Sequence, residues 1–164
     1  MSLQPIAYAI AKDVQAALLA ISTESGYFHT LGADAVKLDP EHEVEARTAP
    51  DGQRPFVLIE VSPPTFNYQN SRSGECEVTL PLSVHWVNDY DPTSDDALLQ
   101  AFFKGLADVE RALSRDITRG GRAVDTRMTS ATLTPVGDSA ICWAEIKVEI
   151  KSWRDCGAPT EVVA

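Results

Sequence analysis

The chain has no apolar run long enough to cross a bilayer, which excludes a spanning helix. Cysteine is scarce: Cys76, Cys142 and Cys156, with no pair at C-x-x-C spacing. An odd, widely spaced set argues against a disulfide framework and against a cysteine-built zinc site. Cys76 and Cys142 fall inside strand-like runs, where a thiol packs as a small hydrophobe. Cys156 has no evident base beside it and no helix start to lower its pKa. Positive charge is also short, with 14 Lys and Arg against 24 Asp and Glu and a net charge of -10. That balance disfavours nonspecific DNA binding, and it does not exclude a protein that must let DNA pass without sticking. Walker lysine loops and G-x-S-x-G elbows are missing, as are internal repeats and low-complexity segments. The N-terminus, MSLQPIAYAIAKDVQAALLAI, lacks a basic start and carries Lys12 and Asp13 within it. It therefore reads as an amphipathic helix and not as a signal peptide, so manufacture in a cytoplasm is expected.

What is present fits one globular domain. A length of 164 residues favours a single core, and 44% apolar with 23% charged residues is ordinary. Ile6, Ile10, Val14 and Leu18 recur at fours, with Ala17 and Ile21 beside them, behind Pro5 at a helix start. Gly26 is the expected cap. A short strand is expected near Val36–Leu38, inside an otherwise charged, turn-rich loop. PFVLIEV at 55–61 is apolar on both alternating faces, as in a strand covered on two sides. After Pro63–Pro64 comes a polar arm carrying Phe66 and Tyr68, then CEVTLPLSVHWVN at 76–88, which alternates cleanly around Pro81. DYDPTSDD supplies N-cap residues for a second helix, where Leu99, Phe102, Leu106, Val109 and Leu113 step by threes and fours. Gly120–Gly121 ends that region, and SATLTPV and AICWAEIKVEIKSW form a last hairpin. This order predicts an α+β two-layer domain over 1–155, with an extended C-terminal tail at 156–164. Its antiparallel or mixed sheet would have about four strands, with both long helices on one face and a β-hairpin arm.

Three groups could carry function. RALSRDITRGGRAVDTR, 111–127, holds five arginines in an acidic chain. Arg111 and Arg115 share one side of the helix, away from the apolar stripe, with Asp108 as a partner for Arg111. Arg115 and Arg119 oppose the negative end of the helix dipole, a role that needs no ligand. RGGRAV follows a helix where phosphate loops precede one. Pairing of Arg111, Arg115, Arg119 and Arg122 with acidic surface on another copy is the remaining reading. The outward face of the last strand runs Trp143, Glu145, Lys147, Glu149, Lys151, Trp153. Cross-strand pairing in a solvated sheet explains the charges, whereas exposed tryptophans mark contact surfaces, as do Phe66 and Tyr68. Asp39, Glu41, His42, Glu43 and Glu45 form an acidic run without EF-hand spacing, read as solvated loop. Ser83, His85 and Asp89 are the only hint of a hydrolase triad, which needs the base between nucleophile and orienter. No catalytic residue, cofactor or metal is expected.

An N-terminal amphipathic helix ending in GY, then RPFVLIEV, a long hairpin, a helix ending ADVERALSRD, GG, and a final strand ending KSWRD together make a pattern. Across nearly the whole chain it resembles the tail terminator, or tail completion, proteins of long-tailed bacteriophages. The resemblance implies a two-layer subunit without catalysis, in a homo-oligomeric ring, typically a hexamer. Such a ring caps the tail tube, meets the head–tail connector protein and lets DNA pass through a central channel without specific binding or any membrane. It implies a place in the virion tail after assembly in the bacterial host cytoplasm. The alternatives are a head–tail connector or neck component, another tail structural protein, or a small cytoplasmic enzyme using His85 or the acidic loop.

Overall fold

The computed structural model describes residues 2–38, 54–68, 75–136, 139–155 and 160–163. The acidic run of 39–45 and Cys156 lie outside them. Pro5 precedes the first helix, α1 (Ile6–Leu19), whose start needs no N–H from proline. Ile10, Val14 and Leu18 have no exposed surface, as their spacing predicts. Ala20 caps α1, and Gly26 instead closes the short 3₁₀ turn Thr23–Ser25 at φ +84°, a conformation cheap only for glycine.

The sheet has six strands where the alternation pattern predicts about four: β2 (Val36–Leu38), β3 (Phe56–Val61), β4 (Thr65–Asn67), β5 (Glu75–Asp89), β6 (Asp125–Pro135) and β7 (Ile141–Asp155). Their order is β2-β3-β5-β7-β6, with β4 also paired to β5. Only β2 runs parallel to its neighbour, so the sheet is mixed. The expected hairpin arm is thus drawn into the sheet, because β4 resumes on β5 the ladder that β3 leaves. The amide of Ser62 donates to the carbonyl of Pro81 at 3.0 Å. Proline's missing donor therefore faces the interval between β3 and β4, where little pairing is lost. At the chain ends, β1 (Ser2–Pro5) and β8 (Thr160–Val163) form a separate antiparallel pair.

Both helices lie on one sheet face, α1 beside α2 (Ala97–Ser114). Ile10, Val14, Phe102 and Val109 share one core with Val57, Val84, Trp86, Ala144 and Ile146. The fold is α+β, with two helices and a mixed six-stranded sheet. At Gly105 a β-carbon would meet the Trp86 indole, so a glycine there lets helix and sheet approach. The buried stripe of α2 is Ala101, Phe102, Gly105, Asp108, Val109, Ala112 and Leu113, while Leu99, expected inside, is exposed. Asp96 precedes α2 at φ 59° without a side-chain cap bond. Among the expected caps, Asp91 accepts from the amide and hydroxyl of Thr93, two residues on.

Candidate subunit interface

The arginine segment divides by burial. Arg119 has no exposed surface. Its guanidinium donates to Asp13 at 3.3 Å, to Oγ1 of Thr126 at 3.1 Å and to the carbonyl of Leu113. A cation spent inside its own subunit cannot reach another, so the interface expectation fails for Arg119 on desolvation grounds. It instead ties α1 to the end of α2 and the start of β6. Arg122 is half-buried, with Nη1 3.5 Å from the carbonyl of Arg119. Arg111 and Arg115 are exposed, and each guanidinium sits 5.0 Å from the ring centre of Tyr27. Arg111 donates to the carbonyl of Gly26 at 2.5 Å and makes no pair with Asp108. Asp116 closes the turn after α2, accepting from Thr118 and from the amide of Gly120. The Thr118 hydroxyl and then the Gly120 amide hold its carboxyl down to about 2.

The outer face of β7 is less solvated than its charge alternation suggests. Trp143 is half-buried and donates through Nε1 to Nδ1 of His85 at 3.2 Å, while Nε2 of His85 lies 3.3 Å from Glu60. Lys147 donates to Oγ of Ser83 at 2.8 Å and pairs with Glu145. Lys151 reaches Glu77 at 3.9 Å, and Glu149 is exposed. Trp153, at 43% exposure, is the tryptophan that stays open. Phe66 and Tyr68 are also exposed and stack with ring centres 6.3 Å apart. Ser83 and His85 are committed to different partners, and Asp89 pairs with Arg54 at 2.7 Å, so the three do not form a triad.

Two features escaped the sequence reading. Asp108, read as a surface partner for Arg111, is buried and accepts from the amides of Phe28 and His29 at 2.9 and 3.0 Å. It also accepts from Nδ1 of His29 at 2.8 Å, and Nε2 of that ring meets Asn88 at 3.0 Å. The signal was its place in the small-residue row Ala101, Gly105, Ala112, the row that faces the sheet. The second feature is an apolar strip on the outer side of α2. Leu99 and Phe103, one turn apart, are 48% and 59% exposed.

Among the described residues, no group of three or more His, Cys, Asp or Glu is placed to hold a metal ion. Burial pushes the Cys142 thiol up to about 11, so it is a core side chain and not a nucleophile. Among the described residues no helix is long and apolar enough to cross a membrane.

No known protein family's profile matches the sequence, and no curated protein matches it. Among solved structures, the chain is similar to one in the virion of a native gene transfer agent (GTA) particle, with a TM-score of 0.52. The match covers 91% of this chain and 98% of that one. At 13% identity the likeness is one of fold.

Proposed function

We propose that this chain is a structural protein of a virion or virus-like particle and, within that class, a tail terminator. The observation that carries the reading is the fold shared almost end to end with a chain of a GTA virion. The order of elements and the phrases RPFVLIEV and ADVERALSRD support the finer assignment. In this reading six copies close into a ring that caps the tail tube, docks the head–tail connector protein and leaves a channel for DNA. The excess of acidic residues suits a channel wall that repels a polyanion. Recognition is surface complementarity without chemistry: one ring face matches the last tube ring and offers no further site for tube growth. The contact surfaces proposed are Arg111, Arg115 and Arg122 at the end of α2, the outer face of β7, and the Phe66–Tyr68 pair.

The test is direct. The purified 17.8 kDa chain should give a discrete species near six times the subunit mass, with six-fold symmetry by electron microscopy. Mixed with polymerising tail tube protein, it should cap tubes at one end. A ring that leaves tube growth unblocked would move the assignment to a connector or neck component. A monomer at tens of micromolar would overturn the ring.

A further inference from the structure

Between the C-terminal ends of the two helices the surface dips into a depression of about 140 Å³. Its apolar wall is Ala17, Ala20 and Ala112, and Tyr27 and Arg115 line it as well. Asp13, Asp116 and Arg119 complete the lining: Asp13 pairs with Arg119, and Asp116 accepts from the neutral Thr118 and Gly120, so its charge remains and an arriving anion must be held by the two guanidiniums of Arg111 and Arg115 against it. The Arg115 guanidinium touches the Tyr27 ring and has no carboxylate partner. Arg111, one turn earlier, rests on the same ring and donates to a carbonyl, again with no carboxylate. Two cations at i and i+4 on one aromatic ring repel each other and gain from a shared anion. Tyr27 itself is buried, so its ring is a fixed platform beneath the two guanidiniums.

We propose that this depression is a socket for one carboxylate side chain of a second copy of the chain. The carboxylate engages Arg115, within the field of Arg111, while its methylene groups lie against the three alanines. The occupant follows from charge and size. The chain carries 24 acidic residues against 14 basic ones, so a neighbouring copy brings carboxylates in excess. A volume of this order admits one short side chain and not an extended ligand. Burying the arriving carboxylate against alanine lowers the local dielectric and strengthens the pair.

The inference rests on the ring reading, and the experiment separates the two. Self-association of the full chain is measured by mass photometry and light scattering for wild type, Arg115→Glu and Lys104→Glu. Lys104 is an exposed lysine on the same helix outside the socket, so it controls for net charge. Arg115→Glu should weaken assembly by about tenfold or more while circular dichroism shows the subunit still folded, whereas Lys104→Glu should leave assembly intact. Arg115→Lys should keep the ring and, with a zero-length carbodiimide, cross-link to one Asp or Glu of a neighbouring copy. A monomeric wild type overturns the ring and the socket together. A ring indifferent to Arg115→Glu, or equally broken by Lys104→Glu, overturns the socket alone. So does cross-linking only within one subunit. Phosphate that raises the melting temperature while Arg115→Glu spares the ring would mark a free-anion site, and would also overturn it.

Discussion

Asp108 accepts from Nδ1 of His29 at 2.8 Å and, through the same carboxylate, from the amides of Phe28 and His29. One buried side chain on α2 thereby organises the loop that leaves α1 and fixes the imidazole against Trp86, ring centres 5.2 Å apart. With Nδ1 donating to the carboxylate, Nε2 is the acceptor for the Asn88 amide. Asp108→Ala would strand three donors in the interior. The expected cost is about 3 kcal/mol by urea denaturation, and Asp108→Asn, which keeps one acceptor, should cost less. A loss under about 1 kcal/mol for the alanine variant would show that water satisfies these donors instead.

Gly105 sets the distance between α2 and the sheet. A β-carbon there falls 2.5 Å from Nε1 of Trp86, and that indole has no exposed surface into which to move. Intrinsic propensity favours alanine over glycine inside a helix by roughly 1 kcal/mol. Overpacking opposes it and wins, since strained cores lose about 1–3 kcal/mol and this contact is with a rigid ring. Gly105→Ala should therefore destabilise the subunit in chemical denaturation; a stabilised variant would refute the contact.

Arg119 and Arg115 lie four residues apart and should respond differently to the same change. Arg119→Ala leaves Asp13 without its cation and the Leu113 carbonyl and Thr126 without a donor. Asp13, 33% exposed, can hydrate, so the loss comes from the cavity and the unpaired Leu113 carbonyl and is about 2–3 kcal/mol. Arg115→Ala, on an exposed side chain, should leave subunit stability within about 0.5 kcal/mol. Thermal melts of the two variants under conditions that hold the subunit monomeric distinguish them. Equal losses would contradict the burial assigned to Arg119.

Acid should loosen the turn after α2. The carboxyl of Asp116 is held down to about 2 from an ordinary value of 3.8. Its contribution is complete above the ordinary value and is lost as pH falls from there through about 2, because the unfolded chain takes up the proton first. A carboxyl titration by NMR should place Asp116 near the lower value. In pH-dependent melts, Asp116→Asn should flatten the slope across that window; an ordinary titration midpoint for Asp116 would contradict the turn geometry.

The periodicities of α1 and of the first half of β5 were legible because those stretches bury one face. Ile10, Val14 and Leu18 at fours, and Val78, Leu80, Leu82 and Val84 at twos, need only a local rule to be placed inside. The short strand Val36–Leu38 and the two-sided burial of Val57, Leu58 and Ile59 were equally readable. The strand count was not, because β4 has three exposed residues and takes its identity wholly from pairing with β5.

The sequence alone determined two amphipathic helices over an alternating sheet, an acidic chain, and a dense run of arginine at the end of the second helix. Tertiary structure decided what those charges do. It buried Arg119 and Asp108, drew Trp143 onto His85, and left Arg115 and Trp153 open. The physical reason is that a side chain's cost or use depends on the partners within a few ångströms. For Asp108 those partners lie 79 and 80 residues away along the chain. Spacing within one helix says which residues share a face, but not which face another segment will cover.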